Sequence, residues 1–146
     1  MKNMMLSFIL MCCVLLPSFI GAEEGFTVTG EIAFKKTGNL YLQMETEQEF
    51  KDQKASVRFQ LVIKIGEAEL HAKKATFAFE NVPAGTYAIM VFQDVDGNGE
   101  LNMGMFGPKE PWGNYRKKRP RFRGPKFSEM AFEVKEDITD IRIEVK

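Results

Sequence analysis

Apolar and polar residues alternate along much of the chain, and this alternation sets the fold class. The clearest case is the segment 57–65, in which every second residue is apolar. Successive side chains of a β-strand point to opposite faces, so a period of two predicts a strand with one buried face. Similar short segments recur between turn residues, and no long segment has helical periodicity. The expected fold is all-β: an antiparallel β-sandwich, immunoglobulin-like or transthyretin-like, with seven or eight strands and one long loop.

Three segments carry more specific expectations about local structure. Thr46, with Glu49 three residues later, has the pattern of a capping box, which predicts one or two helical turns. Residues 67–72 are expected to form a short strand. Residues 127–134 carry spaced apolar side chains and are expected to form another strand after the long loop.

A turn followed by a central strand is expected in the middle of the chain. In the segment 80–86, Pro83 fixes φ and Gly85 permits a left-handed backbone, which together predict a turn. Residues 87–93 are apolar at both odd and even positions, which is typical of a strand covered on both faces. This strand leads directly to Asp94, where the long loop begins.

The first 22 residues have the pattern of a secretory signal peptide. Lys2 supplies a basic start, residues 4–16 are almost wholly apolar, and Ala22 is a small residue at the predicted cleavage point. The apolar run is shorter than the roughly 20 residues that span a bilayer, and an uncleaved anchor is the alternative. We therefore expect one domain over residues 23–146, exported to the periplasm or out of the cell, with no transmembrane span in the mature chain.

Cysteine content and charge exclude several kinds of chemistry. Cys12 and Cys13 both lie in the signal segment, so the mature domain has no disulfide, thiol nucleophile or thiolate zinc site. The formal net charge of the full chain is zero, and removal of Lys2 leaves minus one. This balance argues against nucleic acid as a partner.

Oxygen-bearing side chains at alternate positions open the long loop. Residues 94–102 follow the spacing of the first nine positions of a calcium loop. The twelfth position, a bidentate Glu in an EF-hand, is Met105 here, and a strand rather than a helix precedes the loop. A turn without metal is the alternative, because Asn and Gly tolerate positive φ. The predicted Ca²⁺ ligands are Asp94, Asp96, Asn98, Glu100 through its carbonyl, and Asn102.

A basic segment with aromatic residues follows in the second half of the loop. The long loop extends from Asp94 to Pro125. Loops of this length are usually functional or disordered, and the aromatic residues indicate an ordered loop. Arg and Lys beside aromatic rings can bind phosphate, sulfate or carboxylate groups, and a solvated surface run is the alternative. The predicted partner is an anionic envelope polymer or an acidic protein. The predicted partner-binding residues are Trp112, Tyr115, Arg116, Lys117, Lys118, Arg119, Arg121 and Arg123.

Catalytic candidates are few, and we expect a non-catalytic module. His71 is the single histidine, and neither Ser56 nor Ser128 lies in a sequence typical of a nucleophile elbow. Glu110 and a loop aspartate could form the carboxylate pair of a carbohydrate-active hydrolase, although cation binding accounts better for the aspartates. The alternatives, in order, are a structural or assembly domain that docks on another protein through the basic segment, and this hydrolase.

Four blocks of sequence together resemble a known family. They are Asn-Val-Pro-Ala-Gly-Thr-Tyr at 81–87, the loop 94–102, Pro-Lys-Glu-Pro-Trp-Gly at 108–113, and Pro-Lys-Phe-Ser-Glu-Met-Ala-Phe at 125–132. These blocks resemble the bacterial exported family filed as domain of unknown function 2141. The resemblance implies an exported β-sandwich and supplies no reaction.

Two further points qualify this resemblance. Asn114 and Tyr115 stand where the family tends to have a Ser, and the basic run 116–123 is particular to this sequence. The turn 83–87 is also similar to one in transthyretin-like and carboxypeptidase-regulatory-like sandwiches. Those sandwiches often serve as accessory or adhesion modules, so this looser similarity implies a binding role by fold analogy alone.

Overall fold

The computed structural model describes residues 25–52, 56–117, 119–120 and 123–146. The predicted signal peptide, Lys118 and Arg121 lie outside the described residues. The strands are β1 (Phe26–Ala33), β2 (Asn39–Glu45), β3 (Phe59–Ile63), β4 (Lys74–Val82), β5 (Gly85–Asp94), β6 (Met103–Gly104), β7 (Gly107–Pro108), β8 (Trp112–Asn114), β9 (Phe132–Val134) and β10 (Ile138–Glu144). The helices are α1 (Glu47–Lys51), α2 (Glu67–Ala72) and α3 (Phe127–Met130).

Two sheets form the body of the molecule. The first has the order β10–β1–β4, and the second has the order β3–β2–β5–β8, with β9 paired to the first residues of β5. The remaining strands, β6 and β7, form a separate hairpin of two-residue strands, so eight of the described strands build the sandwich. Among these strands the pairs are antiparallel, except for the parallel pair β1–β10. The predicted all-β sandwich is confirmed.

The core between the sheets consists of side chains that recur at every second position of the strands. On β4, for example, Ala75, Phe77 and Phe79 are all buried. Each fully buried large apolar side chain contributes about 1.5–3 kcal/mol, so a core of this size needs no disulfide. The largest fully buried apolar side chains are Ile32, Leu40, Leu42, Met44, Ile89, Met130, Ile141, Ile143, Val28, Val82 and Val134.

The segment with the clearest alternation lies at an edge of the second sheet. It forms β3, whose inward residues Phe59, Leu61 and Ile63 are only half-buried. On the other face, Val62 remains 54% exposed. Periodicity therefore identified the strand and its inner face correctly, but it carried no information about the position of the strand in the sheet.

Helices form in two places where strands were expected. Residues 67–72 form α2, because Glu69 accepts the N–H of Gly66 at 3.0 Å and Lys73 ends the helix at φ 55°. Residues 127–130 form α3 before the short strand β9. The predicted capping box of α1 is confirmed, with both reciprocal bonds present. Among the described residues, no helix combines the length and apolar character needed to cross a bilayer.

The turn between β4 and β5 occurs as predicted, with one difference in backbone conformation. Asn81 adopts the positive φ of 54°, whereas Gly85 already belongs to β5. Asn tolerates this region better than most residues, which explains the exchange. The Tyr87 hydroxyl donates to the Pro83 carbonyl at 3.1 Å and ties β5 back to the turn.

Several loops gather at one end of the sandwich, which is called the loop end below. β5 ends there at Asp94, β1 ends there at Ala33, and β4 begins there at Lys74. The loop end comprises the turn 35–38, the segment 64–73 and the loop 95–111. β8 then leads back along β5, so the basic segment starts beside the middle of that strand, away from the loop end.

Candidate functional site

Asp94 caps the first turn of the long loop with its carboxylate. Its Oδ1 accepts the backbone N–H groups of Gly97 at 2.8 Å and Asn98 at 3.1 Å, and its Oδ2 accepts that of Gly99 at 3.0 Å. The side chain belongs to the last residue of β5 and is only 3% exposed. A rigid strand therefore fixes the position of the first predicted ligand.

The loop wraps around Asp94 because two glycines permit it to turn. Gly97 and Gly99 adopt φ values of 77° and 78°, a region that other L-residues rarely occupy. These conformations direct the three successive N–H groups inward onto one carboxylate. The arrangement accounts for the Gly-Asn-Gly sequence, whether or not a cation is bound.

A second carboxylate, that of Asp96, joins the first part of the loop to Asn102. Its Oδ2 accepts the side-chain amide of Asn102 at 2.9 Å and that of Asn98 at 3.2 Å. The Asn98 Oδ1 in turn accepts the backbone N–H of Glu100 at 2.8 Å. Four of the five predicted ligands thus make side-chain hydrogen bonds within one small loop, while the Glu100 side chain is exposed.

Glu110 completes the cluster from the far side of the hairpin. Its Oε1 accepts the N–H of Val95 at 3.0 Å, and its Oε2 accepts the N–H of Asn102 at 3.1 Å. The side chain is 7% exposed. One oxygen each from Asp94, Asp96 and Glu110 lie within 4.8 Å of one another. Glu110 was missing from the predicted ligands, since its place depends on a hairpin register that the sequence pattern does not reveal.

The hairpin β6–β7 brings Glu110 back to the start of the loop. β6 and β7 pair through Gly104 and Gly107, and the N–H of Lys109 donates to the Asn102 carbonyl at 2.8 Å. Pro111 then accepts the N–H of Gln93 at 2.8 Å through its carbonyl, which returns the chain to the edge of β5. Met105, at the position of the EF-hand glutamate, lies at the hairpin tip, away from this cluster.

The turn 35–38 supports the other side of the site. The Gln93 amide donates to the Lys36 carbonyl at 2.6 Å and to the Gly38 carbonyl at 3.4 Å. Gly38 adopts φ 122°, and a Cβ there would lie 2.0 Å from the Asp94 carbonyl oxygen. The backbones of the two loops therefore touch directly.

Trp112 and Arg119 form the first anchor of the basic segment. The Arg119 guanidinium carbon lies 4.6 Å from the Trp112 ring centroid. Its nitrogens donate to the Lys146 carbonyl at 3.3 Å and the Glu144 carbonyl at 3.5 Å. Burial lowers the pKa of Arg119 from its usual value. These contacts hold Arg119 against β8 and the end of the chain.

Tyr115 forms a second anchor, because its ring packs into the body of the molecule. The ring lies edge-on to Phe132, with 5.1 Å between the centroids. Arg116 lies over the outer face of the same ring at 5.2 Å and donates to the Ala131 carbonyl at 3.3 Å. The aromatic side chain thus acts as packing, and the exposed Arg116 covers it.

Arg123 forms a third anchor through a bidentate ion pair. Its two terminal nitrogens lie 2.7 Å from the two carboxylate oxygens of Glu129. The Arg123 hydrogen bond, together with the N–H of Lys126, lowers the pKa of Glu129 to about 2. Among the predicted partner-binding residues that the structure describes, Arg116 and Lys117 are exposed cations, whereas Arg119 and Arg123 hold the segment in place.

The sequence matches a known family of bacterial proteins. A family model described as an uncharacterised protein conserved in bacteria, domain of unknown function 2141, matches residues 28–142. The chain belongs to this family. Searches of curated proteins and of solved structures returned no significant match. The looser similarity to transthyretin-like and carboxypeptidase-regulatory-like sandwiches is not confirmed by these comparisons.

Membership of the family covers both parts of the candidate site. The matched residues include the carboxylate cluster at the loop end and the whole basic segment of this DUF2141 protein. The family description states no activity.

Proposed function

We propose that this DUF2141 protein is an exported, non-catalytic β-sandwich module that binds Ca²⁺ at the loop end and an anionic partner at the basic segment. The observation that carries the metal part is the convergence of Asp94, Asp96 and Glu110. The export part is supported by the basic and apolar pattern of the first 22 residues. The partner part is supported by the anchored, solvent-facing run of Arg and Lys.

Electrostatics favours a cation between the three carboxylates. Ionised carboxylates this close repel one another, and the repulsion is stronger where water is excluded, as around Asp94 and Glu110. A divalent cation would remove the repulsion, and Ca²⁺ prefers carboxylate and amide oxygens of the kind supplied here by Asp96 and Asn98. The backbone N–H groups that already bond to Asp94 provide partial compensation, so the metal-free loop is the competing state.

The surroundings of Glu110 favour a structural role over the hydrolase alternative. Both of its oxygens accept a backbone N–H group, and these bonds hold the two ends of the hairpin together. A general acid must instead present a proton to the substrate. His71 does not supply a second candidate beside Glu110, because it is exposed on α2, where a short strand was expected.

The basic segment is suited to an anionic partner because its geometry is fixed by contacts that leave other cations exposed. Arg119 and Arg123 are held by Trp112 and Glu129, respectively. Arg116 and Lys117 are exposed beside them. Cations held on an ordered surface lose little conformational freedom when they bind carboxylate, sulfate or phosphate groups.

Thermal unfolding with and without Ca²⁺ tests the metal part. A ligand present at a hundredfold excess over Kd and bound only to the folded state should raise the Tm on the order of 10 °C in a domain of this size. Asp96→Asn should abolish the rise, whereas Asp140→Asn, an exposed control on β10, should keep it. No rise with millimolar Ca²⁺ in the wild-type protein would overturn the metal part.

A binding assay with a model polyanion tests the partner part. The probe is dextran sulfate, with uncharged dextran as the reference. Arg116→Glu combined with Lys117→Glu should weaken binding at least tenfold, because each reversed charge both removes an attraction and adds a repulsion. The matched control is Lys51→Glu with Lys135→Glu, which changes the same net charge at exposed positions elsewhere. If both variants lose binding affinity equally, overall charge explains the effect, and the assignment of the basic segment as the binding surface is overturned.

A further inference from the structure

Three large apolar side chains project from the loop end at the hairpin β6–β7. Met103 is 65% exposed, Met105 is 91% exposed and Phe106 is 97% exposed. Single exposed apolar residues are ordinary on protein surfaces, but clustered ones usually mark an interaction site. Residues 103–106 are called the apolar tip below.

The apolar tip is held away from the body of the sandwich by a closed hairpin. Met103 pairs with Pro108, and the N–H of Lys109 donates to the Asn102 carbonyl at 2.8 Å. Below this pair, Glu110 accepts the N–H of Asn102 and fixes the base of the hairpin. The tip is therefore preorganised, and little conformational freedom is lost when it meets a partner.

Exposed lysines surround the same end of the sandwich. Among the described residues, none of these lysines has a carboxylate within the 4.0 Å of an ion pair, in contrast to Lys74 and Lys146, which pair with Glu31 and Glu144. The fully exposed acidic residues at this end are Glu67, Asp96 and Glu100. Glu31, Glu69 and Glu144 are half-buried there, Glu31 is paired with Lys74, and Glu144 interacts with Lys35 as well as Lys146. The unpaired lysines come from the turn 35–38, both ends of the segment 64–73 and the hairpin itself: Lys35, Lys36, Lys64, Lys73 and Lys109.

We propose that the loop end docks on an anionic lipid bilayer, with the apolar tip inserted among the headgroups and the lysines against the phosphates. Apolar side chains next to Lys are the combination that binds at a membrane interface, since the lysine stem lies along apolar surface while its charge reaches the phosphates. The docking residues are neither the predicted partner-binding residues of the basic segment nor the carboxylate ligands, so the inference goes beyond the function proposed above.

The size and shape of the tip favour lipid over a protein partner. A stable protein interface buries about 800 Å² on each side, whereas a buried aromatic side chain supplies only about 150–250 Å². Three side chains on a narrow hairpin fall well short of that area. A bilayer needs no matching pocket and accepts a small convex tip directly.

Co-sedimentation with lipid vesicles tests the proposal. The mature protein, residues 23–146, is mixed with phosphatidylcholine vesicles that contain or lack phosphatidylglycerol. Wild-type protein should bind the anionic vesicles, and Met105→Ser with Phe106→Ser should weaken binding at least tenfold. Val62→Ser, an exposed apolar control on β3, should bind as the wild type does. Because the tip side chains are almost fully exposed, the double variant should keep the wild-type Tm.

Two further variants separate this surface from the others. Lys36→Glu with Lys109→Glu should remove the preference for anionic vesicles. Arg116→Glu with Lys117→Glu, which tests the basic segment, should weaken vesicle binding much less than the tip variant does. The proposal is overturned if the wild type does not bind vesicles, or if the basic-segment variant loses as much binding as the tip variant. It is also overturned if the wild type sediments as a dimer that Met105→Ser with Phe106→Ser dissociates, because the tip then binds a second copy of the chain.

Discussion

A carboxylate oxygen of Glu110 lies within 4.8 Å of one from Asp94, although a complete hairpin separates the two residues along the chain. Asp94 organises the turn that leaves β5, and Glu110 closes the base of the hairpin that returns to it. The two carboxylates thus accept part-buried backbone N–H groups of this loop that have no place in a regular sheet ladder.

The first prediction concerns Glu110→Gln. The amide keeps the shape of the side chain, but its NH₂ group faces one of the two backbone donors, so one bond is lost and one part-buried donor is left without this acceptor. We expect the free energy of unfolding in Ca²⁺-free buffer to fall by about 1–3 kcal/mol, measured by urea denaturation. The exposed control Glu136→Gln should change it by less than about 0.5 kcal/mol.

The same variant also reports the balance of forces in the metal-free loop. If Glu110→Gln is as stable as the wild type without Ca²⁺, repulsion between the carboxylates costs as much as the lost hydrogen bond contributes. That outcome would mean that Glu110 contributes no net stability in the absence of Ca²⁺, contrary to the first prediction, and it would leave the calcium proposal intact. If the variant still gains the full Ca²⁺-induced stability, Glu110 is not a ligand.

Sequence pattern predicted much of the sandwich because the physical cause of each strand is local. Alternation identifies the buried face of a strand wherever one side meets the core, as in β1, β2 and β4. It does not reveal which strands lie at an edge, which is why the segment 57–65 suggested more burial than β3 has. The six residues of α2 are too few to distinguish the helical period of 3.6 from the strand period of two. The hydrogen bond from the Gly66 N–H to the Glu69 carboxylate caps the segment and favours the helix.

The candidate site was predictable only in part, for a related reason. The spacing of Asp94, Asp96 and Asn98 is local and could be read directly from the sequence. The position of Glu110 depends on the register of two-residue strands rich in glycine, which have no alternation to read. The basic run itself is visible in the sequence. Which of its cations are held and which are exposed could not be predicted, because Arg119 and Arg123 are held by partners elsewhere in the chain.

The second prediction concerns Gly38→Ala. A Cβ at this position would lie 2.0 Å from the Asp94 carbonyl oxygen, and the φ of 122° is unfavourable for any L-residue. Relief requires the two loop backbones to separate, so we expect a loss of about 1–3 kcal/mol in the free energy of unfolding. Gly124→Ala is the matched control, because a Cβ there would meet no atom within 4 Å and the φ of Gly124 is not positive. If Gly38→Ala leaves the free energy of unfolding unchanged, the turn 35–38 is not in close contact with the Asp94 backbone.

The third prediction is a pH dependence that arises from Glu129. The Arg123 ion pair and the Lys126 N–H lower its folded-state pKa from 4.5 to about 2. Because the unfolded chain then binds the proton more tightly, the contribution of Glu129 to stability is complete above pH 4.5 and is lost as the pH falls towards 2. Urea midpoints measured across this window should fall less steeply for Glu129→Gln than for the wild type. The exposed control Glu136→Gln should follow the wild-type curve, and identical slopes for all three would contradict the pKa shift.

The last prediction separates an anchoring from a binding role for Arg119. Trp112 is the single tryptophan of the chain, so its fluorescence reports the contact with this guanidinium directly. Arg119→Ala should shift the emission to longer wavelength, as water replaces the guanidinium over the ring, and should lower the free energy of unfolding by about 0.5–1 kcal/mol. Arg119→Lys should give an intermediate result, because an ammonium group keeps the charge without the planar stacking of a guanidinium. Lys117→Ala, which removes an exposed cation nearby, should change neither quantity. If Arg119→Ala leaves the emission unchanged but weakens dextran sulfate binding, the guanidinium contacts the partner instead of holding the segment, and Arg119 then belongs with the exposed, partner-binding cations.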